Sequence, residues 1–166
     1  MQEHIQNELA SFIANCDWEK IAPHFKEDAA YRVLDWIGCA VAGEHYPQVE
    51  IAQKYFIENG DQGNSTVIGH QTKCSPRTAA FLNGIAGHVC ELDDGHRTAI
   101  GHPGSIAVPT ALALGEHLNA SGADVLKAVI LGYEVFSRLG RTVNPSHYRT
   151  WHTTGTCGTI AAAAAA

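Results

Sequence analysis

The apolar residues of this chain recur mostly at intervals of three and four, the spacing of helices that bury one face. Ile5, Leu9, Phe12 and Ile13 set that pattern over residues 5–15. A longer helix is predicted from Pro23 through Tyr31, Val33, Leu34 and Ile37 to Gly43. Its centre is apolar nearly all round, which implies burial among other helices, and Asp35 within it reads as a capped or paired structural acid. Residues 48–59 form a third helix, stopped by Asn59-Gly60. Strand-like character is confined to 63–69, where Thr66-Val67-Ile68 suggests a short extended segment too isolated to pair within the chain.

Ser75-Pro76 then marks a helix start, with serine as N-cap and proline at the first helical position. That helix carries Ala79, Ala80, Leu82, Ile85, Ala86 and Val89 toward Glu91, and its small residues permit close packing. Further helices are predicted over 106–118, with Pro109 near the first turn, and over 123–139, closed by Gly140. Ile160 and the six alanines after it begin a helix with neither polar cap nor glycine. Such a helix reads as having lost its partner or the rest of its length, so residues 1–166 are expected to be the N-terminal part of a longer protein. The predicted fold class is all-α, a helical bundle domain of six or more helices.

Composition narrows the function. A chain of 166 residues with 45% apolar content suffices for one domain with a core. A net charge of −6 argues against a nucleic-acid surface, which needs a basic face. It does not exclude an anionic ligand, because a few convergent cationic groups outweigh net charge locally. The five cysteines, at 16, 39, 74, 90 and 157, are odd in number and lack a C-x-x-C pair. Free thiols in a reducing cytoplasm are therefore expected, with neither a disulfide framework nor structural zinc. Residues 1–15 mix acids and amides into their apolar positions, unlike a signal peptide, and no run of about 20 apolar residues predicts a membrane span.

Ionisable groups crowd into one stretch, Glu91 to Ser105, E-L-D-D-G-H-R-T-A-I-G-H-P-G-S. Gly95, Gly101 and Gly104 are expected to allow unusual backbone geometry there, and Pro103 fixes one dihedral. A second crowded loop, 144–152, holds Tyr148 and His152. Removing a proton beside a carboxylate needs a base near neutral pKa, which points to the imidazoles of His102 and His152 as acid–base groups. Asp93 and Asp94 either orient those rings or cap the following turn. Arg97 offers a planar fork for a substrate carboxylate or is a surface arginine. His96 and Tyr148 join the candidate substrate contacts, whereas His88 reads as a hydrogen-bonded core histidine. Asp93, Asp94, His96 and His102 have metal-ligating chemistry, but their spacing matches no helix-borne H-E-x-x-H pattern. A non-catalytic helical assembly domain is the other reading.

The stretch also resembles the MmgE/PrpD family, which contains 2-methylcitrate dehydratase, cis-aconitate decarboxylase and iminodisuccinate epimerase. The likeness lies in Asn83-Gly84, His88, Glu91-Leu92-Asp93-Asp94 and His102-Pro103-Gly104. It continues through Ala111 to Glu116, Gly132-Tyr133-Glu134-Val135, Arg138-Leu139-Gly140 and Trp151-His152-Thr153. Asp35 to Gly43 is similar to the family's first core helix. One departure stands out: the family's Asp-aromatic-Asp-Asp is Glu91-Leu92-Asp93-Asp94 here. The resemblance implies a further α+β domain, metal- and cofactor-free lyase chemistry of the 2-methylcitrate dehydratase type on a small di- or tricarboxylate, with epimerisation or cis-aconitate decarboxylation as the alternatives, and a homodimer. With 2-methylcitrate as substrate it also implies a role in propionate metabolism. It places His102 and His152 in an active site between two domains, completed by lysines outside this chain.

Overall fold

Pro23, Pro47 and Pro76 each stand at the start of a helix, where the missing N–H costs nothing and the fixed φ favours the first turn. The computed structural model describes residues 4–166. Residues 1–3, which entered the reading of 1–15 as free of a signal peptide, lie outside the described residues. Among the described residues there are seven α-helices and no strand: α1 (Ile5–Ala14), α2 (Pro23–Gly43), α3 (Pro47–Glu58), α4 (Pro76–His88), α5 (Gly104–Leu118), α6 (Gly122–Val143) and α7 (Thr153–Ala165). Short 3₁₀ turns at Trp18–Lys20 and His147–Arg149 complete them. Ser75 Oγ accepts from Thr78 N and Ser121 Oγ from Asp124 N, so both serines cap the helices they precede. The all-α prediction is met.

Helix α4 packs between α2 and α5, while α6 and α7 pack together and against α5. The main core joins Trp36, Ala40, Val49, Ala86, Val108, Ala111 and Val129. Small residues set the helix spacing. A Cβ on Gly43 would lie 2.0 Å from the Ala86 carbonyl oxygen, and one on Gly87 would lie 2.4 Å from Trp36 Nε1. Because the obstacle at Gly43 is backbone, it cannot rotate away. Gly43→Ala is therefore expected to destabilise the domain by about 2–3 kcal/mol, as overpacking of a close helix contact does. Thermal unfolding followed by circular dichroism measures it, and an unchanged midpoint would show that α2 and α4 can separate freely.

Four local expectations need correction. Helix α2 is not buried all round: Tyr31, Leu34, Ile37 and Val41 form an exposed apolar stripe, and Asp35 lies on that same open side. Residues 63–69 make only a single bridge, Ser65 to Cys74. That loop is pinned instead by side chains, with Ser65 Oγ donating to the Ala113 carbonyl and Asn83 bonding both Ile68 N and Thr66 O. Helix α6 runs past Gly140 to Val143, because Gly140 is used for contact with Ala99 rather than as a cap. Helix α7 starts at Thr153, seven residues before Ile160, and is not unpartnered: Ala161, Ala164 and Ala165 are buried.

Candidate active site

The loop from Val89 to Pro103 joins α4 to α5 and is held by its own backbone. His96 N donates to Gly101 O and Ile100 N to His96 O, both at 2.8 Å. The residues in left-handed conformation are Glu91 and Ile100, each with φ of 53°, and not the loop glycines. Gly101 and Gly104 serve by their size. A Cβ would meet Phe136 Cζ at 2.7 Å in the first case and Asp94 Oδ1 at 2.5 Å in the second. The loop is tied to the start of α7 by His102 N, which donates to Thr154 Oγ1 at 3.1 Å. Asn144 adds a second tie, donating to Ala99 O at 2.6 Å and to Thr153 Oγ1 at 3.0 Å.

Adjacent acids turn into different surroundings. The Asp93 side chain is 1% exposed and faces two imidazoles. His88, the last residue of α4, places Nδ1 3.0 and 3.1 Å from the two Asp93 oxygens. His102 Nδ1 stands 3.5 Å from Asp93 Oδ2, close enough for charge contact but not hydrogen-bonded, and this buried nitrogen has no other partner among the described residues. The two rings meet edge to face with centroids 4.8 Å apart. The hydrogen bond to Asp93 raises the His88 pKa above its ordinary value; burial opposes the rise, and the charges of Asp93 and Glu91 add to it.

Asp94 turns the other way. Its Oδ1 accepts from Gly104 N at 3.1 Å, capping the first turn of α5, and its Oδ2 pairs with Arg32 Nη1 at 2.8 Å. Burial works against the Arg32 charge, but the Asp28 hydrogen bond and the charges of Asp28, Tyr133 and Asp94 together outweigh it, and the guanidinium stays charged. Burial also pushes the Tyr133 hydroxyl up, with Asp94 adding to the shift, so that phenol stays protonated.

Two clefts flank this loop. One, of about 550 Å³, lies between α4, α5 and α7 and is lined largely by carbon. Its ionisable lining groups are His88 and His152, which stands at the N-cap position of α7. The other, of about 610 Å³, is polar and is lined by Arg32, Asp94, His96, Arg97 and Tyr133 among others. The structure thus brings Asp93 to His102 and sets His152 on the cleft beside His88. Tyr148 lies near His152, its ring centroid 6.1 Å away, and is largely exposed. Arg97, Asp94 and His96 fall on the second cleft, and His96 Nδ1 is occupied by Ala99 N at 3.1 Å.

The metal-type set considered from sequence, Asp93, Asp94, His96 and His102, does not converge. The ligating atoms that do approach, within 4.8 Å of one another, belong to His88, Asp93 and His102. Both Asp93 oxygens already lie at hydrogen-bonding distance from His88 Nδ1, so the trio is arranged as a hydrogen-bonded dyad with a second imidazole alongside. Sequence reasoning assigned His88 to the core and missed its place here. The available signal was its position at a helix end, five residues before Asp93, where the chain can fold back on itself.

The domain thus sets the histidines His88 and His152 on a largely apolar cleft, with the buried Asp93 beside His88. The chain matches the family model for the MmgE/PrpD N-terminal domain over residues 7–166 and belongs to that family. It is 32% identical over 171 residues to the cis-aconitate decarboxylase-like protein oryM of Aspergillus oryzae, covering 98% of this chain and 36% of that protein. Cis-aconitate decarboxylase of Aspergillus terreus is 32% identical over 163 residues, covering 94% of this chain and 32% of its own length. The human cis-aconitate decarboxylase is 34% identical over 142 residues, or 81% of this chain and 29% of that one. The chain therefore spans about a third of the length of the curated relatives it matches. At the coarse level, it is a domain of a family that includes lyases. No helix among the described residues is long and apolar enough to cross a membrane.

Proposed function

We propose that this chain supplies the histidine-bearing part of the active site of a metal-independent lyase acting on a small di- or tricarboxylate. The observation that carries this reading is the buried Asp93 held against His88 and His102, beside a cleft that His88 and His152 line. Chemistry at a carbon next to a carboxylate passes through an anion, and an imidazole near neutral pKa can give or take the proton involved. The similarity to cis-aconitate decarboxylases favours decarboxylation. In that reaction the bond to the departing carboxylate breaks and carbon dioxide leaves. The electron pair stays on the remaining skeleton, and an imidazolium of His102 or His152 donates a proton to that carbon. Dehydration of 2-methylcitrate, the second reading, uses the same groups in the opposite sense: the base takes the proton and hydroxide departs. Since His88 and His152 are the ionisable groups lining the cleft, further counter-charges for a polycarboxylate come from elsewhere in the intact protein.

The test is to assay the intact protein against cis-aconitate, 2-methylcitrate, citrate and iminodisuccinate, with products identified by mass spectrometry and with chelator added in a parallel series. Turnover of one of these with no loss on chelation supports the reading. A natively folded protein that turns over none of them overturns it, and activity abolished by chelator and restored by a divalent metal overturns the metal-independent part.

The same proposal includes a cytoplasmic homodimer. Free cysteines support the compartment, and the exposed stripe Tyr31, Leu34, Ile37 and Val41 on α2 supports self-association. Light scattering of the intact protein is expected to give twice the chain mass. The monomer mass across a hundredfold concentration range would count against it.

A further inference from the structure

His88 does something at this site that a space-filling residue would not. Its Nδ1 faces both oxygens of a carboxylate that is 1% exposed, while the neighbouring His102 Nδ1, also buried, is left without a hydrogen bond. We propose that His88 is a positioning residue: its Nδ1–H holds Asp93 in place beside His102 and balances that carboxylate's charge, so that His102 can exchange its proton instead of keeping it. This rests on the assignment of His102 as an acid–base group in the function proposed above.

The physical argument concerns one negative charge shared by two rings. An unbalanced carboxylate 3.5 Å from His102 Nδ1 would favour the imidazolium and so hold the proton that the ring has to exchange. A cationic His88 on the same carboxylate leaves the pair net neutral. Hydrogen bonding to Asp93 raises the His88 pKa and so favours that cation. The titratable groups facing His88 are few. Glu91 Oε1 lies 3.6 Å from Nε2, Asp93 holds Nδ1, the His102 ring meets its edge, and His152 shares the cleft. From α2, the buried Cys39 thiol lies in the field of Asp93, and burial keeps it protonated. Among the described residues no lysine or arginine pairs with Asp93, so the balancing charge falls to His88. Protonation of the two rings is then coupled, because a proton gained on one lowers the attraction that Asp93 offers the other.

Two variants of the intact protein test this. His88→Asn keeps an N–H donor near the Nδ1 position but cannot become charged, whereas His88→Ala removes both donor and charge. Expected for His88→Ala is a fall in kcat of roughly 10–100-fold with KM changed less than about threefold. His88→Asn should recover most of that loss. In both variants the limb of the kcat/KM profile that reports His102 should move to higher pH, because an unbalanced Asp93 holds the His102 proton to higher pH. A limb that stays where the wild type has it overturns the proposal. So does a natively folded His88→Asn no better than His88→Ala; should the alanine variant not fold, the asparagine variant's limb alone decides. A separate arm needs no turnover: imidazole NMR titration of the wild type should show the His88 and His102 resonances each responding to the other's protonation. Independent titration curves overturn the proposal. Coupled curves in a protein that turns over no polycarboxylate support the linkage while refuting the reaction, so the two failures are distinguishable.

Discussion

In the intact protein, His102→Ala is expected to remove most turnover while leaving the fold in place. Three features of the site support that separation of activity from stability. The His102 side chain is 24% exposed, its Nδ1 has no hydrogen-bond partner, and it meets Asp93 only at 3.5 Å. The tie between this loop and α7 runs through the backbone, from His102 N to Thr154 Oγ1, and survives the loss of the ring. Truncation therefore breaks no strong contact and opens no large closed cavity. Loss of a general acid–base group costs about 10²–10⁴ in rate, equivalent to roughly 3–5 kcal/mol of barrier. Steady-state kinetics on the substrate found in the panel assay, together with circular dichroism, measures both halves of the expectation. Near wild-type turnover would move the acid–base role to His152 or to a group elsewhere in the intact protein. An unfolded variant would make His102 a structural residue.

Asp93→Ala should behave differently, because stability and activity are expected to fall together. The carboxylate is almost wholly buried and its oxygens lie 3.0 and 3.1 Å from His88 Nδ1. Removing one partner of a buried charged pair leaves the other uncompensated and typically costs about 3–5 kcal/mol. His88 is 27% exposed, so solvent relieves part of that cost and the lower end is expected. The pH dependence has a definite sign. A histidine whose folded pKa is raised adds stability below its unfolded pKa, and this contribution is lost as pH rises through the folded value. The stability gap between wild type and Asp93→Ala should thus be widest in mildly acidic buffer and narrow on the alkaline side of neutrality. Urea unfolding at a series of pH values reads it directly. A gap that stays constant with pH, or widens toward alkaline buffer, would show that His88 does not draw its charge stabilisation from Asp93.

Much of this protein is legible from local chemistry alone. Ser75-Pro76 announces a helix start because capping and a fixed φ act within one turn, and the structure begins α4 there. Apolar spacing identifies the all-α class for the same reason: each helix carries its own period. The crowding of acids and histidines over 91–105 is visible without any fold, as is the likeness to the MmgE/PrpD family, to which the chain belongs.

Tertiary structure decided how those groups divide. Asp93 and Asp94 are neighbours in the chain, yet one meets His88 and His102 while the other caps α5 and pairs with Arg32 of α2. Nothing in a run of adjacent acids says which will turn inward. The direction depends on where α2 and α5 lie after packing, and that is set by contacts such as Gly43 on Ala86 and Gly87 on Trp36. His88 joined the site for a similar reason: α4 ends where the loop doubles back, so its last residue meets a carboxylate five positions on. Arg97 and His96 left the expected site because the loop is closed by the His96–Gly101 bridge, which aims them at the second cleft. Helix starts and periods are interactions among residues a few positions apart and can be read from the chain, whereas convergence of side chains is a property of helix packing and exists only once the helices have met.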